Sequence, residues 1–457
     1  MNVSIILAAG EGTRMRSKTP KVLHEICGKP IIHYVLEAAQ KAGIEKNIVI
    51  LGHGKERIGK KLKEYDVLPE IQPVGEGIPY GTGFAVMQGE KHISDEDTVI
   101  IMNGDVPLIK DSTIRDFIRT HQNERASISI LTAKLDDPTG YGRIVRDENG
   151  QVLGIVEEKD SDEQTKKIQE INSGFYCFKG KDLRFALNQL DSNNAQGEYY
   201  ITDAVGILHQ KGYKVTGYRI NHPIEISGVN NRVQLHELNQ YMKQKINEFH
   251  MMNGVTIIDA QQTYIDHDVV IGQDVTIYPG TFIQGHTKIG DGSTIGPGAW
   301  MIDAEIGEHT VIQNSKIVEA VIGNDCTIGP YAYLRPGTCL KNRVKIGDFV
   351  EVKNTTMDEG SKASHLAYLG DGDVGKDVNI GCGVILVNYD GKNKHRTQIG
   401  DRAFIGSNSN LVAPITIEPG GYVACGSTIT EDVKEGSLAI ARARQINKEN
   451  KGKNKYK

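Results

Sequence analysis

Long apolar segments are missing from this sequence of 457 residues. Nowhere do about 18 apolar residues follow one another, the length that a helix needs to cross a bilayer, so we expect no membrane-spanning helix. An excess of charge is missing as well, because 53 Lys and Arg stand against 58 Asp and Glu, a formal net charge of −5. This balance gives no electrostatic argument for a nucleic acid or a membrane surface as partner. Chemistry on small molecules is the better expectation.

Cysteine is scarce and scattered. The chain has six cysteines, none in a C-x-x-C pair, and a protein of this length does not need disulfides to hold its fold. We therefore expect free thiols in a reducing compartment. The N-terminus has a short apolar run followed by glycines and arginines, whereas a secretory signal has a basic start and a longer apolar core. Together these features predict a cytoplasmic protein.

Aromatic residues are also few, at 6%, whereas glycine reaches 51 residues, which suits tightly turning repeats. The length exceeds what one hydrophobic core usually supports, so we predict two domains, at 1–231 and 254–457. Apolar residues at spacings of three and four predict a helical linker at 232–253, although it is equally well interpreted as the last helix of the first domain. The basic tail, 448–457, is expected to be solvated and disordered.

The first half of the chain alternates β-rich runs with helical stretches. Runs at 3–7, 47–51 and 98–102 and a helical stretch at 31–42 indicate strand–helix–strand units. This order predicts a Rossmann-like α/β domain with a mostly parallel sheet covered by helices. Because ligands of such sheets bind beyond the carboxyl ends of the strands, residues directly after the first and third of these runs are candidates for a site.

From about residue 255 onwards, apolar residues recur every six positions and are often followed by glycine. One inward side chain on each of three faces makes a coil of a parallel β-helix, and stacked coils bury a continuous apolar column. The period breaks near 358–371 and 388–394, and such breaks usually carry loops on one face, which is often the binding face. The recurring positions are Ile271, Ile277, Ile283, Ile289, Ile295, Met301, Ile322, Ile328, Leu334, Leu340, Ile346, Val352, Ile399, Ile405, Leu411, Ile417, Val423 and Ile429.

A glycine-rich segment, LAAGEGTRM at 7–15, follows the first strand, with Lys21 further on. Small residues let backbone N–H groups approach phosphates, while Arg14 and Lys21 supply positive charge for a triphosphate. The segment resembles the motif of sugar-nucleotide pyrophosphorylases, including the downstream lysine. A glycine-rich turn is weak evidence by itself, since many such turns are only structural. The basic pair strengthens the functional interpretation.

Asp105 follows the expected strand 98–102 in the sequence Asn-Gly-Asp. It is either a turn-forming residue or a ligand of Mg²⁺, which prefers oxygen ligands and joins one or two protein groups to phosphates. In the family that the sequence resembles, this ligand pairs with an asparagine, which is Asn230 here. The resemblance therefore implies a metal site made by Asp105 and Asn230.

These motifs are similar to those of the bifunctional N-acetylglucosamine-1-phosphate uridylyltransferase and glucosamine-1-phosphate N-acetyltransferase family. The resemblance implies attack of a sugar-phosphate oxygen on the α-phosphorus of UTP, with catalysis by Mg²⁺, Arg14 and Lys21. The stretch 73–80 is longer than in the commonest family pattern, which leaves base specificity open. The residues implied for the nucleotide are Leu7, Ala8, Ala9, Gly10 and Lys21, with Gln72, Gly81 and Thr82 at the uracil. The residues implied for the sugar phosphate are Gly142, Glu157, Asn172 and Asn230.

Motifs in the β-helix resemble, nearly letter for letter, the acetyltransferase domain of the same family. They lie at 334–337, 351–353, 360–371, 378–381 and 388–391. The resemblance implies that the β-helix is left-handed, that the protein is a homotrimer and that the acetylation site lies between subunits.

His365 is the candidate general base, because an imidazole with a pKa of about 6.5 can take a proton from the substrate ammonium. A lone histidine in a loop is more often an ordinary surface residue. Here Arg335 and Lys353 offer a phosphate site, and Glu351 is expected to orient the imidazole. By resemblance, the glucosamine phosphate is also bound by Tyr368 and Asn379, and acetyl-CoA is bound by Cys382, Asn388, Tyr389, Ser407, Cys425 and Arg442.

Cys382 and Cys425 stand where the familiar pattern has alanine. We expect them to act through their backbone atoms, because no adjacent base favours a nucleophilic role.

The resemblance implies a bifunctional enzyme of cell-envelope precursor synthesis that acts on glucosamine 1-phosphate, acetyl-CoA, N-acetylglucosamine 1-phosphate and UTP. Two alternatives stay open. The first is a pyrophosphorylase of another sugar or base whose β-helix serves only trimerisation, and the residues around His365 argue against it. The second is a catalytically inactive regulatory subunit, and the presence of Arg14, Lys21, Asp105 and Asn230 argues against that.

Overall fold

The computed structural model describes residues 1–449 and residue 451. The chain divides into two compact units, Met1–Gln240 and a second unit that begins at Tyr241. Most of the tail expected at 448–457 lies outside the described residues. Within the described residues, no helix is both long enough and apolar enough to cross a membrane.

The first unit contains the strands and helices of an α/β fold, and its final helix continues into the second unit. In chain order the elements are β1 (Asn2–Ala8), β2 (Glu25–Ile26), β3 (Lys29–Pro30), α1 (Ile31–Lys41), β4 (Lys46–Leu51), α2 (Lys55–Lys61), β5 (Leu68–Ile71), α3 (Thr82–Gly89), β6 (Thr98–Asn103), α4 (Asp111–Glu124), β7 (Ile128–Lys134), β8 (Arg143–Arg146), β9 (Val152–Val156), β10 (Glu170–Lys179), α5 (Gly180–Leu187), α6 (Asp203–Gln210), β11 (Val215–Arg219) and α7 (Arg232–Met252).

The central sheet of this unit has the strand order β11-β7-β10-β6-β1-β4-β5, and β8 pairs with β10 on one side and with β9 on the other. β1 is parallel to β4 and β6, whereas β10 is antiparallel to β6 and β7. Ile5 and Ile6 of β1 are fully buried on opposite faces of this sheet. Ile5 lies in a cluster with residues of helices α3, α5 and α6, and Ile6 lies in a cluster with residues of helices α1 and α4. Each such side chain contributes about 1.5–3 kcal/mol. The predicted α/β domain with a mostly parallel sheet is confirmed.

The second unit consists mainly of very short strands. In chain order they are β12 (Thr256–Ile257), β13 (Thr263–Ile265), β14 (Val270–Ile271), β15 (Thr276–Ile277), β16 (Thr281–Gln284), β17 (Lys288–Ile289), β18 (Thr294–Ile295), β19 (Trp300–Ile302), β20 (Glu305–Ile306), β21 (Val311–Ile312), β22 (Lys316–Val318), β23 (Val321–Ile322), β24 (Thr327–Ile328), β25 (Tyr333–Leu334), β26 (Cys339–Leu340), β27 (Lys345–Asp348), β28 (Glu351–Lys353), β29 (Thr356–Met357), β30 (Lys362–His365), β31 (Tyr368–Gly370), β32 (Gly372–Val374), β33 (Asn379–Ile380), β34 (Ile385–Val387), β35 (Thr397–Ile399), β36 (Phe404–Ile405), β37 (Asn410–Val412), β38 (Ile415–Ile417), β39 (Tyr422–Val423), β40 (Thr428–Ile429) and β41 (Leu438–Ala439).

In the part of the chain that the structure describes, these strands form three sheets of 11, 10 and 9 strands, which we call the first, second and third faces. The first face runs from β12 to β41, the second from β13 to β40 and the third from β14 to β38. Ile277, Ile295 and Ile312 pair in parallel register on the first face and are fully buried. Together with the hexapeptide repeats, this column gives the left-handed parallel β-helix that was expected.

The prediction that the repeat breaks at 358–371 is wrong. Strands β30 and β31 lie in this stretch and continue the first and second faces, in register with β27 and β28. The period is hidden because Ile346 pairs with Ala363, 17 positions later, whereas Ile277 pairs with Ile295, 18 positions later. The smaller alanine also weakens the apolar pattern. The loop expected at 388–394 is confirmed, because the chain leaves the coil between β34 and β35.

Candidate active sites

A cleft of about 240 Å³ opens at the carboxyl ends of β1 and β6, which we call the first cleft. This is the end of a parallel sheet at which ligands bind. All the residues implied for the nucleotide lie on its wall: Leu7, Ala8, Ala9, Gly10, Lys21, Gln72, Gly81 and Thr82.

Gly12 allows Lys21 to approach the glycine-rich segment closely. The φ angle of Gly12 is +67°, and a Cβ atom there would lie 2.8 Å from Cβ of Lys21. A larger residue would meet both backbone strain and a clash at this position. The segment therefore needs glycine for packing as well as for access to a ligand.

Lys21 lies between the two residues implied as metal ligands. Its Nζ contacts Oδ2 of Asp105 and is 3.4 Å from Oδ1 of Asn230. Arg14 donates from Nη2 to the same Asn230 oxygen, at 2.9 Å. The chain brings Asn230 here because the N–H of Val229 donates to the carbonyl of Asp105, at 3.0 Å. Two oxygens from distant parts of the sequence therefore lie close to the ammonium group of Lys21.

This pair of oxygens suits Mg²⁺. A carboxylate and an amide oxygen are hard donors, and Mg²⁺ completes its coordination with substrate phosphates and water. Among the described residues, no group of three or more His, Cys, Asp or Glu is arranged to hold a metal ion. The donor set of Asp105 and Asn230 fits a magnesium that is bound together with a phosphate ligand.

Gln72 presents an unused hydrogen-bond donor at the first cleft. Only 2% of the residue is exposed, and within the described residues its Nε2 atom has no hydrogen-bond partner. Residues 73–80 are exposed, and the longer stretch leaves the cleft wall after Gln72 and returns to it at Tyr80 and Gly81. The geometry agrees with a base-binding role for Gln72.

A second cleft of about 230 Å³ adjoins the first and shares Leu7, Thr82, Asn103 and Asp105 with it. The residues implied for the sugar phosphate line it: Gly142, Glu157, Asn172 and Asn230. Burial raises the pKa of Glu157. Asn172 is fixed by its Nδ2, which donates to Oη of Tyr176 at 2.7 Å. The structure thus brings the implied nucleotide and sugar residues to two neighbouring clefts.

In the second unit, His365 is held by a different carboxylate from the one expected. Asp348 and His365 lie opposite each other on β27 and β30, with Nδ1 of the ring 2.5 Å from Oδ1 of the carboxylate. The hydrogen bond from His365 lowers the pKa of Asp348. With its proton on Nδ1, the neutral ring has its lone pair on Nε2, and His365 is exposed. This is the arrangement that a general base needs.

The expectation that Glu351 orients this imidazole is wrong. Glu351 lies on the second face, in register with Tyr368, and accepts a hydrogen bond from Nη1 of Arg335 at 2.8 Å. This bond raises the pKa of Arg335. Glu351 therefore holds a basic residue, and Asp348 holds the histidine.

A basic cluster is formed by Arg335 and Lys353, on the second face, and Lys394, in the loop between β34 and β35. Nζ of Lys353 is 3.4 Å from Oδ2 of Asp371, which is buried and also accepts hydrogen bonds from Asn354 and Asn388 at 2.6 and 2.5 Å. The ammonium of Lys353 lowers the pKa of the neighbouring Lys394. Two ammonium groups held this close favour an anionic ligand such as a phosphate.

The residues implied for acetyl-CoA fall into two groups. One inward column of the first face consists of Ala363, Ile380, Ile405 and Val423, which pair on successive coils. The residues two positions later lie at one corner of these coils: His365, Cys382, Ser407 and Cys425. Ser407 and Cys382 are partly exposed and Cys425 is exposed. The others lie apart: Asn388 is buried against Asp371, Tyr389 is exposed in the 388–396 loop, and Arg442 is exposed beyond β41. Asn379 lies on the first face in register with Lys362.

Both units of the chain are similar to known proteins. A nucleotidyl transferase family model matches residues 3–222, and a model described as the GMPPB C-terminal domain matches residues 259–356. A protein named Bifunctional protein GlmU from Clostridioides difficile is 52% identical over 98% of this chain and 96% of its own length. A protein of the same name from Caldanaerobacter subterraneus is 51% identical, with the same coverage. The chain belongs to the GlmU family.

In this GlmU family member, several residues on the walls of the two clefts were not predicted from the sequence. Asn103 lines both clefts, and Tyr80 and Glu198 line the first. Asn103 stands directly before Gly104 and Asp105, so its position at the end of β6 was a usable signal. Asp348 and Lys394 gave no such signal, because their roles depend on the register of the coils and on the path of a loop.

Proposed function

We propose that this GlmU family member is a bifunctional enzyme with one reaction in each unit. The second unit acetylates glucosamine 1-phosphate with acetyl-CoA. The first unit transfers UMP from UTP to N-acetylglucosamine 1-phosphate and gives UDP-N-acetylglucosamine, a precursor for the cell envelope, and pyrophosphate. The observation that carries the proposal is that one chain holds two kinds of site: a pair of adjoining clefts where Lys21 meets Asp105 and Asn230, and a histidine oriented by a carboxylate in a unit that also carries a basic cluster.

In the uridylyl transfer, the protein positions the reactants and neutralises charge. Arg14 and Lys21 bind the triphosphate, and Gln72 donates a hydrogen bond to the uracil. An oxygen of the sugar phosphate attacks the α-phosphorus, and the bond from that phosphorus to the pyrophosphate oxygen breaks. Asp105 and Asn230 would hold Mg²⁺, which supplies further charge neutralisation when it is bound.

In the acetyl transfer, Nε2 of His365 accepts a proton from the ammonium group of glucosamine 1-phosphate. The free amine attacks the carbonyl carbon of the thioester and the C–S bond breaks. The sulfur of coenzyme A leaves with the electron pair of that bond and takes up a proton as the new amide nitrogen loses one, which gives the free thiol. Arg335, Lys353 and Lys394 bind the sugar phosphate. The hydroxyl of Ser407 or a backbone N–H at the same corner stabilises the negative charge on the carbonyl oxygen.

We further propose a cytoplasmic homotrimer with the acetylation site between subunits, and domains at 1–231 and 254–457 joined by a linker at 232–253. The trimer is supported by large apolar side chains on the outside of the β-helix, such as the stacked rings of Phe404 and Tyr422, which are 37% and 43% exposed. Light scattering tests it, and a monomeric mass would overturn the trimer.

Incubation with the proposed substrates tests the function itself. With glucosamine 1-phosphate and acetyl-CoA, we expect release of the free thiol of coenzyme A. With N-acetylglucosamine 1-phosphate, UTP and Mg²⁺, we expect pyrophosphate. Absence of the thiol would overturn the acetyl transfer, and absence of pyrophosphate would overturn the uridylyl transfer. Other sugar phosphates and nucleotides in the same assays test the alternative of a different pyrophosphorylase.

A further inference from the structure

Arg143 is buried beside the second cleft, with only 1% of its surface exposed. Its Nη1 donates to the backbone carbonyl of Tyr141, and its Nη2 lies 2.8 Å from Oε2 of Glu158. Tyr141 directly precedes Gly142 in the chain, and Glu158 directly follows Glu157. One guanidinium group therefore holds the neighbours of two residues that line the second cleft.

The backbone of Arg143 joins the same part of the cleft. It pairs with the two residues that directly precede Glu157 and Asn172, in β9 and β10. The N–H of Asn172 donates to the carbonyl of Gly142, at 2.9 Å. A Cβ atom at Gly142 would lie 3.4 Å from Oε2 of Glu157 and 3.5 Å from Cβ of Asn172. The three residues therefore depend on a common support at Arg143.

The stability of the folded unit does not explain why a charged side chain, that of Arg143, is buried at this position. Within the described residues, Nε of Arg143 is buried without a hydrogen-bond partner. Oε2 of Glu158 also lacks a hydrogen bond of good geometry, so the contact with Arg143 is an ion pair only. Desolvation of a buried ion pair often outweighs its attraction, and an apolar residue of similar volume is then neutral or stabilising. What distinguishes Arg143 from an apolar residue is therefore the pair of contacts by which it holds Tyr141 and Glu158 in place.

We infer that Arg143 is a positioning residue for uridylyl transfer, which fixes Gly142 and Glu157 in the arrangement that binds N-acetylglucosamine 1-phosphate. The inference rests on the proposed function of the second cleft. Arg143 does not itself line that cleft, so it acts through its neighbours. Its loss weakens binding of the sugar phosphate and spares UTP, whose uracil and phosphates meet the first cleft.

The test is steady-state kinetics of uridylyl transfer by the full-length protein carrying Arg143→Met. We expect the KM for N-acetylglucosamine 1-phosphate to rise about tenfold or more, because small displacements of binding groups have large effects, while the KM for UTP is unchanged. Arg143→Lys keeps one charged contact and should give an intermediate rise. The matched control is Arg184→Met, because Arg184 also contacts a backbone carbonyl, of Ile93, and a carboxylate, yet lines neither cleft.

Two further variants separate the possible outcomes. If Glu157→Ala leaves the KM for the sugar phosphate unchanged, the proposed sugar site is wrong. If Glu157→Ala raises this KM and Arg143→Met does not, the positioning role is wrong. An equal rise in the KM values of both substrates with Arg143→Met would also overturn it. Should Arg143→Met fail to fold, Glu158→Gln decides, because it removes only the outer partner: a selective rise supports the inference and an unchanged KM overturns it.

Discussion

Asp348 fixes the imidazole of His365 across two adjacent coils, with Oδ1 and Nδ1 2.5 Å apart. The carboxylate accepts the proton of Nδ1 and so directs the lone pair of Nε2 outward. The same hydrogen bond lowers the pKa of Asp348, which keeps this partner ionised at neutral pH. The pair gives the β-helix a base whose orientation is set by coil register.

Asp348→Asn should slow acetyl transfer by about 10²-fold, because an amide can donate to Nδ1 and place the ring proton on Nε2. Uridylyl transfer should be unchanged. The measurement is the rate of thiol release from acetyl-CoA, with Glu418→Gln, which removes a surface ion pair with Lys434, as control. A normal acetyl transfer rate in Asp348→Asn would show that the carboxylate has no role in catalysis.

His365→Ala and Asp105→Ala should separate the two activities. We expect the first substitution to reduce acetyl transfer by at least about 10²-fold and to spare uridylyl transfer, because it removes only the general base. The second should do the reverse, because Asp105 contacts Lys21 and lines both clefts. Both rates are measured on each purified variant. Loss of both activities in either variant would contradict independent sites.

Gln72→Leu should reduce the preference for UTP over CTP. The substitution keeps a side chain of similar size but removes the buried Nε2 donor at the first cleft, and one such hydrogen bond corresponds to about a tenfold difference in kcat/KM. The measurement is kcat/KM for both nucleotides. Gln88→Leu is the control, since Gln88 bonds within α3 to Phe84. An unchanged ratio would remove Gln72 from base recognition.

The stability of the first unit should fall in mild acid because of His121. This residue of α4 lies with Nδ1 2.8 Å from Oγ of Ser129, and burial lowers its pKa from 6.5 to about 4. Between pH 6.5 and about pH 4, the histidine is protonated in the unfolded state and neutral in the folded state. The contribution of His121 to the free energy of unfolding is therefore fully present above pH 6.5 and is lost as the pH falls towards 4. Urea denaturation at about pH 7 and about pH 5 measures the difference.

The comparison for this prediction is His121→Gln, which should lose less free energy of unfolding between the two pH values than the unmodified protein. His236→Gln, at an exposed position of α7, should behave like the unmodified protein. Equal losses in all three proteins would show that other groups cause the pH dependence.

Much of the architecture could be predicted because it repeats. Inward isoleucines such as Ile277 and Ile295 recur at nearly regular intervals, and the buried strand β1 is apolar at most of its positions. The coil that carries His365 escaped detection because its register is one residue shorter and Ala363 stands at its inward position. The pattern of apolar residues in a sequence reveals a regular period well, but it reveals a local change of that period poorly.

Site residues could be predicted where a motif contains them and not where only packing does. Lys21 and Asp105 stand in recognisable segments, and the structure joins them. Asp348 partners His365 through coil register, and Arg143 acts through burial and contacts with its sequence neighbours. Neither kind of relationship can be read from residue order, because both depend on which coil or strand comes to lie beside which.

The corner that carries His365, Cys382, Ser407 and Cys425 limits how such a site can change. Neighbouring coils are about 4.8 Å apart, so the first and last of these side chains are separated by about 14 Å along the axis. Replacing one side chain alters the chemistry at one level and leaves the other levels where they are. Lengthening the site requires a complete additional coil. The length of this row of side chains along the axis therefore changes only in steps of one coil, and an insertion shorter than a coil enlarges a loop instead.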